Sequence, residues 1–137
     1  MSFIFDSSAV FKAIKENIVE AIAGNYTLEL VRYELGNILW KEHVLHGRIT
    51  VVELRKLIGL VKKVFSIAEI LEVGCREEEI MDVAEKLKLT FYDASFIFYA
   101  KEKELLLITE DESLASKAKN YVKALKLSNI TSYGRHY

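Results

Sequence analysis

Short apolar runs alternate along the chain with longer stretches in which apolar residues recur every three to four positions. Residues 2 to 6 read as a buried strand, and Ser7-Ser8 can cap a helix carrying Val10, Phe11 and Ile14 on one face. Tyr26 to Leu30 has the β-branched and aromatic character of a second strand. A helix is predicted from Val31 to His46, with Val31, Leu35, Ile38, Leu39 and Glu42 at helical spacing and Gly47 as its stop. The next helix spans Thr50 to Phe65, with Val51, Leu54, Leu57, Ile58, Val61 and Val64 as its stripe and Thr50 with Glu53 as a capping box. Ile67 to Val73 reads as a third strand interrupted by Glu69 and Glu72, and Arg76 to Leu87 as a helix with Ile80, Val83, Ala84 and Leu87 inward. Tyr92 to Lys103 is a further predicted helix, Leu105 to Thr109 a fourth strand, and Glu112 to Asn120 a helix with Leu114, Ala115 and Ala118 inward. Val122 to Leu127 fits a fifth strand, whereas Asn129 to Tyr137 shows no clear period. Short apolar strands alternating with amphipathic helices imply an α/β fold, a parallel sheet covered on both faces, with ligands at the carboxyl ends of its strands.

Composition adds limits. A length of 137 residues fits one domain, residues 1–137, and no proline, repeat or low-complexity stretch marks a boundary within it. With 51% hydrophobic and 28% charged residues the chain has the make-up of a globular protein, and a net charge of −1 gives no general attraction to nucleic acid. Cys75 is the single cysteine, so no intrachain disulfide and no zinc–cysteine cluster can form. The apolar runs are too short for a membrane span, and Met1 to Asp6 lacks a signal peptide's basic start, so a cytoplasmic location is expected.

Four acids stand out from this pattern. Asp93 is the only charge between Leu89 and Ala100, Asp6 ends the run Phe3-Ile4-Phe5, and Asp111 follows Leu105 to Glu110. Glu34 projects from the apolar side of its helix, with Leu30, Val31 and Ile38 as neighbours one turn away. Asp6 and Asp111 each precede a helix and can act simply as caps, and Asp93 can do the same, but capping does not explain Glu34. Ionised carboxylates gathered together repel one another unless a cation is present, and an all-oxygen donor set suits Mg²⁺ or Mn²⁺. Such a site fits hydrolysis of a phosphodiester bond.

Other chemistries fit less well. His43 and His46 lack a third nitrogen or sulfur ligand and read as a solvated pair on their helix. No glycines form a phosphate-cradling loop, Asp6 has no second aspartate two residues on, and Cys75 precedes the acidic run Glu77-Glu78-Glu79. A phosphoacceptor receiver domain is disfavoured because Asp6 stands alone at the end of the first strand. Lys12, Lys15, Arg32, Lys41 and Lys101 lie near the acids in sequence and offer contacts to a nucleic-acid backbone. Trp40, Tyr33 and Tyr92 have helical spacing that favours core packing over base stacking.

Taken in order, Phe3-Ile4-Phe5-Asp6-Ser7-Ser8-Ala9, Glu34-Leu35-Gly36-Asn37, Leu89 to Ser95 and Leu107-Ile108-Thr109-Glu110-Asp111 resemble the PIN-domain nucleases, most closely the VapC-type toxins of toxin–antitoxin pairs. The resemblance spans residue 3 to about residue 119, and Gly47 to Glu72 carries none of its motifs. It implies a three-layer α/β/α sandwich around a five-stranded parallel sheet, with Asp6, Glu34, Asp93 and Asp111 converging on Mg²⁺ or Mn²⁺. Supporting roles beside these acids fall to Ser7, Asn37 and Thr109. The implied activity is that of an endoribonuclease in which metal-activated water cleaves RNA and leaves a 5′-phosphate. A homodimer and a cognate antitoxin are implied as partners. The alternatives are a non-catalytic PIN-like interaction module and a PIN nuclease of ribosomal RNA processing.

Overall fold

The computed structural model describes residues 2–134 and the side chains of residues 2–131. Its sheet has five parallel strands in the order β3-β2-β1-β4-β5, where β1 is Phe3–Phe5, β2 Tyr26–Leu28, β3 Glu69–Leu71, β4 Leu106–Ile108 and β5 Ala124–Leu125. Among the described residues seven α-helices accompany it: α1 (Ser7–Lys15), α2 (Glu29–Trp40), α3 (Val51–Ile67), α4 (Glu77–Leu87), α5 (Phe91–Glu102), α6 (Glu112–Ala118) and α7 (Leu127–Gly134). On one face α1 packs with α2, α3 and α7; on the other α4 packs with α5, completing a three-layer α/β/α sandwich.

β1 occupies the centre because both its faces are covered: Ile4 and Phe5 are fully buried, as are Leu107 and Ile108 beside them on β4. From β1 the chain winds outward through β2 and β3. It then returns across the sheet to set β4 on the free edge of β1, so the winding reverses between these two strands. In open parallel sheets the crevice at the carboxyl ends beside such a reversal is where ligands bind. Asp6 leaves β1 and Thr109-Glu110-Asp111 leaves β4 at that crevice, and the Asp6 amide donates to the Ile108 carbonyl at 3.2 Å.

The apolar run after Leu89 forms α5. Thr90 caps it, and residues 94–100 are all buried, between the sheet and α4. A helix covered on most sides shows no polar stripe, and its neighbours there are apolar for that reason. Thr50 and Glu53 form the expected capping box of α3, with each side chain accepting the other residue's amide at 3.1 Å.

Several expectations need correction. The strand predicted to run from Tyr26 to Leu30 ends at Leu28, since Glu29 begins α2, and the predicted Val31–His46 helix keeps α geometry only to Trp40. Lys41–Leu45 widens into a π turn closed by the His46 amide on the Lys41 carbonyl at 2.9 Å. His43 is therefore no member of a solvated helical pair. Its Nδ1 lies 2.9 Å from the Ile49 carbonyl, and because a carbonyl only accepts, that nitrogen carries the proton. The stripe assigned to α3 is mostly half-buried, and only Val64 is buried. Tyr33, Trp40 and Tyr92 are exposed, not packed in the core, with Tyr33 71% accessible. Val122 to Leu127 contributes strand only at Ala124–Leu125, because Leu127 starts α7 and buries its side chain with Ile130 one turn on. Residues 135–137 of the tail lie outside the described residues. Among those described, no helix is long and apolar enough to cross a membrane.

Candidate active site

Asp6 is built into the β1–α1 junction. Its Oδ1 caps α1 by accepting the Ala9 amide at 3.0 Å, and it also accepts the Ser8 hydroxyl at 2.7 Å. The Thr109 hydroxyl donates to Oδ2 from the end of β4. Each hydroxyl has one proton, and both protons are committed to Asp6. The 3.3 Å contact between Ser8 Oγ and Thr109 Oγ1 is thus a close approach without a shared proton. As acceptors, Ser8 Oγ takes the Glu110 amide at 2.9 Å and Thr109 Oγ1 takes the Asp111 amide at 3.0 Å. These bonds lock the two strand ends together around one carboxylate. Despite three donors, burial raises the Asp6 pKa above the usual carboxylate value, and the nearby Asp93 adds to the rise.

The other acids approach from three directions. Glu34, half-buried on α2, has its pKa raised by burial first and then by Asp93 and Asp6, against an opposing pull from the Ser7 hydroxyl. Its Oε1 is buried without a hydrogen-bond partner among the described residues. Asp93 stands in the first turn of α5 and is not the cap; Thr90 is, and its Oγ1 accepts the Asp93 amide at 3.1 Å. Burial and then Asp111 raise the Asp93 pKa, while Lys117 lowers it. Asp111 is exposed, caps α6 through Oδ1 by accepting the Leu114 amide at 3.0 Å, and keeps Oδ2 clear of hydrogen bonds from the described residues.

The four acids thus form a chain of mutually felt charges across the crevice. Glu110 does not join them. It turns away to pair with Lys12 at 2.8 Å and to accept the Leu127 amide at 3.0 Å, tying α6 and α7 to α1. Of the three polar companions predicted for the acids, Thr109 bonds Asp6 directly and Ser7 lies beside Glu34, but Asn37 is exposed on α2 with no described contact to an acid. The sequence suggests Ser8 only as a cap of α1, a place Asp6 takes, and does not single out Lys117. Ser8 carries a signal, a hydroxyl two residues after a cap aspartate, whereas Lys117 is brought near Asp93 only by the packing of α6.

Among the described residues no three His, Cys, Asp or Glu side chains close on one point as ligands of an ion do. The donor set nevertheless fits a hard divalent cation: every group is a carboxylate oxygen, three of the four acids are pushed toward neutrality by burial and like charge, and Glu34 Oε1 has no donor among the described residues. Holding an ion there requires the side chains to draw inward.

The raised pKa values have a direct consequence for stability. A folded carboxyl that holds its proton more tightly than in the unfolded chain makes the fold lose stability over the pH range just above the ordinary carboxylate value of about 4. With chelator present, Glu34→Gln is expected to lack its share of that loss. Melting temperatures of parent and variant should diverge in favour of the variant as pH rises across this window. Parallel pH profiles would show that Glu34 is not held in the environment described.

The chain matches the PIN domain family over residues 2–120. It is 34% identical over 129 residues to the protein called exonuclease VapC9 of Pyrobaculum aerophilum, covering 89% of this chain and 90% of that one. The crystal structure of PAE2754 from the same organism superposes with a TM-score of 0.82 at 29% identity, over 100% of this chain and 97% of that chain. With the crevice, the strand order and the order of the four acids already in place, these matches establish that the chain belongs to the PIN-domain family.

Proposed function

We propose that this protein is a Mg²⁺- or Mn²⁺-dependent endoribonuclease of the VapC toxin type, with Asp6, Glu34, Asp93 and Asp111 as its catalytic, metal-holding residues. The observation that carries the reading is that Asp6, Glu34 and Asp93 feel one another's charge, with Asp111 acting on Asp93, beside the crevice where the sheet reverses its winding. Asp6, Glu34, Asp93 and Asp111 would hold a divalent cation, which would supply Lewis acidity toward a phosphate oxygen and toward water. The chain's own contribution is orientation. Ser8 and Thr109 fix the Asp6 carboxylate, the α6 amide of Leu114 anchors Asp111, and the Thr90 cap sets the first turn of α5 that carries Asp93. Lys117, beside Asp93, gives a phosphate oxygen a cation within the cluster.

Lys15 lines a groove along α1 with Ser7, Ser8, Phe11, Ile38, Glu16 and the paired Lys12 and Glu110, and offers a contact to the RNA backbone there. Lys12 and Arg32 fit that role poorly, paired as they are with Glu110 and Glu29, and Lys101 lies eight residues, about 12 Å, along α5 from Asp93. A cognate antitoxin and a second copy of the chain are proposed as partners in the cytoplasm. Support comes from the exposed apolar residues Tyr33, Trp40, Val44, Leu45, Val51 and Val52 around the α2–α3 connection.

The test is cleavage of circular and linear single-stranded RNA with Mn²⁺, with Mg²⁺ and with chelator. Metal-dependent cleavage of the circle supports the endonuclease. Cleavage of linear RNA alone gives the exonuclease reading, which the name of the VapC9 relative favours. Cleavage that survives chelation removes the metal from the mechanism, and no cleavage of any RNA leaves the interaction module. Thr109→Val, which keeps the side-chain shape and deletes the hydroxyl bonded to Asp6, is expected to weaken Mn²⁺ binding about 10- to 100-fold, the usual range for a partner of a ligand. Unchanged affinity in a Mn²⁺ titration would remove Thr109 from this role.

A further inference from the structure

On the other flank of the acids, between the carboxyl ends of β2 and β3 and the start of α5, lies a cleft of about 300 Å³. Leu28, Leu30, Leu71 and Phe91 form its apolar walls, and Tyr92, 60% exposed, stands at its edge. The walls are fixed in place. Tyr99 donates its hydroxyl to the Glu72 carbonyl and reaches the Val73 carbonyl at 3.3 Å, and Arg32 holds Glu29 at 2.7 Å on the rim. Its size is at the lower end of small-molecule pockets, which begin at about 300 Å³.

Two features connect this cleft to the acids. Leu30 lies one helical turn before Glu34 on the same face of α2, and Tyr92 immediately precedes Asp93 on α5. A nucleic-acid strand with a phosphate at the acids therefore has a neighbouring nucleotide beside the cleft. Charge decides which part of that nucleotide enters. No lysine lines the cleft, Arg32 on its rim is taken up by both carboxylate oxygens of Glu29, and the exposed Glu72 carboxylate borders it, so nothing there draws a phosphate in. An uncharged base has an apolar face for Leu30, Phe91 and Tyr92 and can offer exocyclic amino protons to Glu72.

We propose that the cleft between β2, β3 and α5 takes an unpaired nucleobase next to the scissile phosphate, with Tyr92 as its stacking platform. The inference rests on the ribonuclease reading for the identity of its ligand. It places one base, drawn out of the strand, on the α5 side of the acids. Tyr92 and the cleft then set which base is accepted at that position, whereas the acids carry no sequence information.

The test uses the intact protein in chelator, where binding is read without metal-dependent cleavage, and single-stranded RNA carrying 2-aminopurine or an abasic nucleotide at successive positions. Quenching of 2-aminopurine at one position is expected, and an abasic nucleotide there should weaken binding about tenfold, the scale of one lost base–aromatic stack. Tyr92→Ala should lose both the quenching and the penalty for the abasic nucleotide, and Tyr92→Phe should restore both. Equal affinity for intact and abasic RNA at every position overturns the proposal. So does a Tyr92→Ala protein that discriminates as the parent does, which would leave the cleft to an apolar side chain of a protein partner. Quenching retained by a protein that cleaves no RNA with Mn²⁺ would instead count against the ribonuclease reading and leave the base site standing.

Discussion

Asp6→Asn is expected to lower metal-dependent RNA cleavage by at least about a hundredfold, beyond the range for residues that only support a ligand. The same variant should stay folded. Asparagine caps a helix about as well as aspartate, so the bond to the Ala9 amide survives. Removing the charge also relieves the cost of burying it beside Asp93. In chelator its melting temperature should match or exceed that of the parent. This combination separates a site built for a charge from a merely structural cap: a cap residue would tolerate asparagine in both assays. Cleavage undiminished in a folded Asp6→Asn protein would sink the assigned site.

Phe5→Ala is expected to destabilise the fold by about 3–5 kcal/mol, the usual cost of truncating a buried phenylalanine. Phe5 is fully inaccessible, sits on the central strand next to Ile108 of β4, and its carbonyl accepts the Thr27 hydroxyl at 2.8 Å from β2. With total stabilities of about 5–15 kcal/mol, such a loss removes a large share of the fold. It should also disturb the site, because Phe5 directly precedes Asp6 and the Asp6 amide is held by β4. Urea unfolding measures the first effect. A loss below about 1 kcal/mol, the scale of a conservative core change, would mean that β1 is not the packed centre described.

The architecture was legible where local pattern and tertiary demand agree. Phe3 to Phe5 and Leu106 to Ile108 are apolar on both faces because helices cover both faces, and the Thr50–Glu53 capping box depends on neighbouring residues alone. Asp6, Glu34 and Asp93 stood out for a related reason: a carboxylate set in an apolar run or on an apolar face conflicts with packing unless another interaction offsets its desolvation, whereas Asp111 is exposed and was marked only by the apolar strand before it. What escaped depends on packing between distant segments. The π turn at Lys41–Leu45 leaves no periodic signal, and Leu127 with Ile130 is too short a stripe to reveal α7. Tyr33, Trp40 and Tyr92 have helical spacing, but their faces point away from the core. Ser8 and Thr109 lie 101 residues apart and meet only because β1 and β4 are neighbours.

That Asp6, Glu34, Asp93 and Asp111 work together as one divalent-cation site is tested most directly by titrating Mn²⁺ into the parent protein and the Asp6→Asn and Asp93→Asn variants, following free Mn²⁺ by electron paramagnetic resonance. The expected result is saturable binding by the parent and a loss of at least about tenfold in affinity in each folded variant, as expected for removal of one ligand charge. Binding by both variants as tight as the parent's, or no saturable binding by the parent, would contradict it.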